Sequence, residues 1–222
     1  MKCEGSYNAN GESTSVTTVS STGVVNNLTP RDTSWKSSAT LNGKESLIKM
    51  VYCNCQEMGL PEGVDWTWIL AIAGQESQFS QSACLTSSAG AKGLFQIIGE
   101  TFTYLCKKVG CDTCNVCDNE CNTKCCIQYF NDNWKIIEKQ PNSNKLSTTD
   151  KIWCAYICHN SGPGNVKRGI GFCGYNKKAN YPDNVAAIIN VISNTEGHDF
   201  PIKVNAYHNY VLDWLSKHPN IV

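Results

Sequence analysis

Glu76 is the residue in this chain whose neighbours equip it best for acid catalysis. It closes an apolar run and is followed by Ser77-Gln78-Phe79, and then by Ser87-Ser88-Ala89-Gly90-Ala91-Lys92-Gly93-Leu94-Phe95-Gln96-Ile97. A carboxyl group at the end of an apolar helix loses water, and burial disfavours its charged form, so its pKa rises. A carboxylic acid that is still protonated near neutral pH is what a glycosidase uses to protonate a leaving oxygen. Gly90, Gly93 and Gly99 let the backbone turn closely beside a sugar chain. The Gln96 amide both donates and accepts hydrogen bonds, which suits an acetamido group. A single Glu ending a helix is more often a plain surface residue, so the spacing of the surrounding blocks has to carry the case.

The other pattern with chemical content is Cys111, Cys114, Cys117 and Cys121, spaced C-x2-C-x2-C-x3-C. Three readings stand at this stage: disulfides, which the even total of 14 cysteines favours; a structural zinc; and an iron–sulfur centre, whose bacterial spacing this matches. The Pro that usually follows the fourth iron–sulfur cysteine is replaced by Asn122. Cys154 and Cys158, at i and i+4, are placed to staple one helix to its neighbours. The pairing cannot be deduced from the sequence.

The elements that must hold these groups are helices. Leu47, Ile48, Val51 and Tyr52 recur at helical spacing before Gly59-Leu60-Pro61 breaks the pattern. Asp65 is placed to cap the next helix, in which Trp66, Ile69, Leu70 and Ala73 fall at i, i+3, i+4 and i+7 and deliver Glu76 at the C-terminal end. Further helices are expected at 101–108, 122–139, 149–159, 184–193 and 203–216. Alternating strand patterns are almost absent. The fold class expected is therefore mainly α, with a cysteine-rich loop inserted between helices.

These blocks resemble the signature of the soluble lytic transglycosylases and their goose-type lysozyme relatives, Glu-Ser-x-Phe followed by Ser-x-x-Gly-Ala-x-Gly-Leu-Met-Gln. Glu76, Ser77 and Phe79 match the first block; Ser87, Gly90, Ala91, Gly93, Leu94 and Gln96 match the second, with Phe95 in place of Met. The segment joining them is longer than typical and contains Cys84. Asn122, Tyr129 and Phe130 resemble a later family helix, with Cys126 where Gly is usual. The run from His159-Asn160-Ser161-Gly162-Pro163-Gly164 to Val166 resembles Tyr-Asn-Ala-Gly-Pro-Gly-x-Val, and Tyr210-Val211 resembles the closing Tyr-Val. The likeness runs over roughly residues 45–216. It implies a lysozyme-like domain in which Glu76 is the general acid and then the base. Ser87, Phe95, Gln96, His159, Asn160 and Tyr210 would contact the glycan or approach the carboxyl group. His159 stands where the family has Tyr, so the hydrogen bond expected to Glu76 from that position must come from an imidazole, which titrates near neutral pH.

No second carboxylate lies inside the matched blocks, whereas most glycosidases use two. A single acid resembles the lytic transglycosylases, in which the substrate's own acetamido group assists departure and the 6-hydroxyl closes a 1,6-anhydro ring. Hydrolysis by a muramidase and an idle glycan-binding scaffold are the alternatives. No cofactor is expected.

Composition sets the outer limits. The 222 residues are 41% hydrophobic, and 19 basic side chains balance 19 acidic ones. A neutral balance argues against a nucleic-acid footprint and suits a mostly uncharged glycan strand. No run approaches the ~20 apolar residues that span a bilayer. Residues 1–42 are rich in Ser, Thr, Asn and Gly and are read as a polar linker or a docking arm. Residues 43–222 are expected to form the lysozyme-like catalytic domain. The first ten residues lack the apolar stretch of a secretory signal, so either a signal has been removed or export takes another route. The location expected is extracytoplasmic and facing a cell wall: periplasmic, secreted, or carried in a virion. An arm of this kind also suits a component of a larger machine, such as a phage tail or a secretion or conjugation apparatus.

Overall fold

The computed structural model describes residues 28–81, 84–111, 113–164, 166–167, 189 and 192–222. Six α-helices are resolved among them: α1 Glu45–Met58, α2 Thr67–Ser77, α3 Gly99–Lys108, α4 Asn119–Glu138, α5 Thr148–Ser161 and α6 Thr195–Ser216. A 3-10 turn, Ser143–Lys145, joins α4 to α5. The only β pairing among the described residues is a pair of isolated bridges, Thr86 with Lys92 and Lys92 with Ile97. The fold is mainly helical, as the periodicity requires.

α2 is the axis of the domain. Eight of its eleven residues are buried, and a helix that is apolar on all sides must be enclosed by others. Asp65 accepts the Thr67 amide at 2.9 Å and so satisfies one orphan donor at its start. α1 and α6 pack against α2, while α4 lies across α1, α3 and α5. Gly74 permits the close crossing of α6, since a Cβ there would stand 2.6 Å from the Tyr207 ring and 2.8 Å from Phe79. At the same crossing His208 meets Thr67 Oγ1 at 2.9 Å and stacks 3.4 Å from Trp68. Burial pushes the pKa of that imidazole down to about 3, so it packs as a neutral ring.

The other helices start where their caps dictate. Asp118 accepts the Cys121 amide at 2.8 Å to open α4. Ser147 and Asp150 form a reciprocal capping box on α5. α6 begins eight residues before the expected 203, because Asn194 accepts the Gly197 amide at 2.6 Å and the helix runs on through Pro201. The helix expected at 184–193 lies outside the described residues, apart from 189 and 192–193.

The described part of the polar N-terminal segment, residues 28–42, is seated on the domain. Buried Asp199 accepts the amides of Arg31 and Asp32, each at 2.8 Å. Leu41 is fully buried; its amide donates to the Tyr210 hydroxyl at 2.9 Å, and Trp214 Nε1 donates to Asn42 Oδ1 at 2.8 Å. Composition suggests a tether, but these contacts make residues 28–42 a strap across the α6 side of the fold.

Candidate active site

Glu76 is the penultimate residue of α2, and its side chain keeps 17% of its exposure. Directly after it the backbone turns through two left-handed residues, Gln78 (φ 53°) and Phe79 (φ 58°). The Phe79 ring is fully buried and meets Tyr207 edge-on at 5.7 Å. Such conformations are strained for non-glycine residues and collect at functional sites. This turn ends α2 abruptly and leaves the Glu76 carboxyl on the wall of a cleft of about 510 Å³.

His159, near the end of α5, brings Nε2 to 3.3 Å from Glu76 Oε1 and 3.3 Å from the Phe95 carbonyl. Both partners are acceptors, so Nε2 carries the proton. Nδ1 is buried with no hydrogen-bond partner among the described residues. The ring is fixed by Phe200, stacked at 5.9 Å, and by Tyr129 at 5.5 Å. The imidazole therefore fills the donor role expected of that position. Burial raises the Glu76 pKa, the His159 hydrogen bond and charge draw it down, and the negative charge of Glu196 pushes it up again.

The loop after Glu76 is built mainly from its own hydrogen bonds. Ser87 Oγ accepts the Ala91 amide at 3.1 Å, and the Gln96 side-chain amide donates to Gly93 O at 2.8 Å and Leu85 O at 3.0 Å. Gln96 itself is left-handed, at φ 47°. Buried Asn122 on α4 holds the loop from behind, accepting the Phe95 amide at 2.8 Å and donating to Val116 O at 3.0 Å and Lys92 O at 3.3 Å. Gly93 is required at the crossing: its φ is +81°, and a Cβ would sit 2.5 Å from Val116 O.

The structure thus brings Glu76, His159 and the Phe95 carbonyl together. The Phe95 ring is fully buried, so the expected contact of that ring with glycan gives way to a core role. Tyr210 is engaged with Leu41 rather than, by any described contact, with Glu76. Asn160 Nδ2 donates to Glu196 Oε1 at 3.1 Å. Ser87 and Asn160 do not line the cleft; Ser38, Ala39, Thr40, Lys44, Ser77, Gln78, Ser80 and Leu85 do so beside Glu76. Sequence reasoning missed Lys44 and Glu196. Neither lies in a motif, and only the strap contacts and the start of α6 bring them to the site.

The cysteine run resolves into disulfides. Cys114 pairs with Cys121, and Cys117 pairs with Cys84 across 33 residues. Three of the four sulfurs are thereby oxidised and cannot act as thiolate ligands, so neither the zinc nor the iron–sulfur reading fits this arrangement. Among the described residues no group of three or more His, Cys, Asp or Glu side chains is placed to hold a metal. Cys84 supplies the physical reason: the extended joining segment lies against the cysteine-rich loop and takes one of its sulfurs. Cys126, in the Gly position of α4, is fully buried and close enough to Glu76 for the carboxylate to help raise its pKa.

The fold is that of the lytic transglycosylases. An inactive mutant of the lytic transglycosylase Slt from Pseudomonas aeruginosa superposes with a TM-score of 0.54 at 21% identity, over 79% of this chain and 25% of that one. The 70-kDa soluble lytic transglycosylase SLT70 from Escherichia coli gives 0.55 at 19% identity, over 79% and 25%. A complex of the 70-kDa soluble lytic transglycosylase with bulgecin A gives 0.57 at 18%, over 79% and 26%. The chain therefore spans about a quarter of the length of these structures. The family model of the transglycosylase SLT domain matches residues 54–182, more than half of the chain, and the protein belongs to that family. No curated protein matches the sequence.

Proposed function

We propose that this chain is a peptidoglycan lytic transglycosylase that cleaves the MurNAc–GlcNAc β-1,4 bond, with Glu76 as its acid. The observation that carries the reading is the Glu76 carboxyl at the buried end of α2, its pKa raised by burial, facing a cleft and held by His159. Glu76 protonates the glycosidic oxygen as the C1–O bond breaks. The 2-acetamido oxygen of MurNAc supports the cation that develops at C1. Glu76, now a carboxylate, takes the proton of the 6-hydroxyl as that oxygen closes on C1, giving a 1,6-anhydro end. His159 orients the carboxyl through Nε2–H, and Ser87 and Gln96 shape the loop beside it.

The Cys84–Cys117 and Cys114–Cys121 disulfides support an oxidising, extracytoplasmic setting, and no described helix is long and apolar enough to cross a membrane. Membership of a larger assembly rests with residues 1–27, because residues 28–42 are occupied on the domain itself. Muramidase action is the second reading. Glu196 favours it as a second carboxylate whose charge reaches Glu76. Digestion of purified sacculi followed by mass spectrometry of the muropeptides separates the two. Anhydro-muropeptides are expected; reducing ends alone would establish the hydrolase, and clearing by a Glu76→Gln variant would remove Glu76 as the acid.

A further inference from the structure

One wall of the cleft lies outside the family match. Residues 38–44 precede residue 54, where the match begins, yet Ser38, Ala39, Thr40 and Lys44 line the same cavity as Glu76. That wall is pre-formed. Leu41 is sunk in the core, the Lys44 amide closes a turn onto Leu41 O at 3.0 Å, and Gly43 supplies the left-handed residue at φ +72°. Ser38 Oγ reaches across to Gln78 Oε1 at 3.4 Å, joining the strap to the turn that follows Glu76.

Lys44 is the one basic side chain on this lining, and among the described residues it forms no ion pair. Glu76 is the one acidic side chain there, so whenever it carries its catalytic proton the formal charge on the lining is positive. Leu85, 45% exposed, adds an apolar surface to the same cleft. An ammonium group with no ion-pair partner among the described residues, carried on a fixed backbone turn beside an apolar side chain, is suited to a small carboxylate on a short aliphatic stem.

We propose that Lys44 is a specificity residue that binds a carboxylate carried by the muramyl side of the glycan, so that the strap selects substituted strands over neutral ones. This rests on the peptidoglycan reading above. Two sources carry the same chemistry: the 3-O-lactyl carboxylate of a strand stripped of peptide, and the free carboxylates of an attached stem peptide.

The test uses the full chain with Glu76→Gln as a non-cleaving background. Binding is measured by calorimetry to peptide-bearing strands, to amidase-stripped strands, and to neutral chitohexaose. Adding Lys44→Met is expected to weaken binding to a carboxylate-bearing strand about tenfold, the equivalent of one charge-assisted hydrogen bond. Chitohexaose binding stays within twofold, and Lys44→Arg restores most of the loss. A loss confined to peptide-bearing strands assigns the stem carboxylate, and a loss confined to stripped strands assigns the lactyl group. A loss on both assigns the shared chemistry. Equal weakening for chitohexaose, no weakening on any strand, or no binding of any strand by the background variant would overturn the proposal. Because binding is read without cleavage, a failure of the transglycosylase reading shows up separately, in the wild-type digestion products.

Discussion

Asn122→Ala tests how the catalytic loop is held. Asn122 is fully buried and makes three hydrogen bonds to loop backbone, to the Phe95 amide and to the carbonyls of Val116 and Lys92. At a net worth of about 1 kcal/mol each, their loss amounts to about 3 kcal/mol, and stranding the Phe95 amide without an acceptor adds about 1 kcal/mol more. For a domain of this size each kcal/mol lowers Tm by about 2–4 °C, so the expected drop is about 8–16 °C. Thermal unfolding under non-reducing conditions measures the global loss, and hydrogen exchange at the Phe95 amide measures the local one. Asn122→Asp keeps the acceptor for Phe95, so it should retain protection there while losing both donated bonds. If Asn122→Ala moved Tm by less than about 2 °C and left Phe95 protected, the loop would be held by its internal bonds and the clamp argument would fail.

Electrostatics give three more expectations. The Glu76 pKa is raised on folding, so the folded state binds more protons than the unfolded state above the usual carboxyl range, and stability falls as pH rises through that window. Glu76→Gln should therefore stabilise the protein at pH 8 relative to pH 4, which paired melting curves at the two pH values would reveal. Glu196→Gln removes a charge that raises the Glu76 pKa and should move the alkaline limb of the kcat/KM profile to lower pH. His159→Phe removes a hydrogen bond that lowers it and should move the limb upward; shifts of the same sign in both variants would contradict the assignment. His208 has its pKa lowered to about 3, so the unfolded chain gains a proton below its ordinary value of 6.5 that the folded chain refuses. Stability should fall with a slope of at most about 1.4 kcal/mol per pH unit between those values, and urea titrations of His208→Gln should show a shallower acid slope. Finally, Cys84→Ser with Cys117→Ser opens a loop of 33 residues and should cost about 2–4 kcal/mol in non-reducing urea unfolding, with Cys114–Cys121 intact by peptide mapping.

The helices that carry the site were readable because apolar spacing fixes which face is buried. Ile69, Leu70 and Ala73 marked α2, and Glu76 fell at its end as their spacing demanded. The start of α6 is not legible locally because Gly197 and Pro201 are poor helix formers, and the Asn194 cap and the packing of Phe200 and Val204 override them. The seating of the strap was hidden for a related reason. Its Ser, Thr and Asn side chains show no periodicity, and what seats it is one buried leucine and polar bonds to residues about 170 positions away. Bonds at that range leave no local pattern. The partners of Asn122, the pairing of Cys84 and the approach of Glu196 belong to the same class. The choice of His159 as donor was visible in the sequence; its shared bond to the Phe95 carbonyl needed coordinates.

The strap also sets an order of assembly. Its anchors are Asp199, Tyr210 and Trp214, which hold Arg31, Asp32, Leu41 and Asn42 across 167 to 172 positions of chain. A ribosome delivers the acid, its loop and His159 well before it delivers α6. Until then the far wall of the cleft lacks these anchors, and contacts spanning so much chain form slowly. A partly made chain therefore carries Glu76 and its loop while one wall of the cleft still lacks these anchors, and the emergence of α6 supplies them.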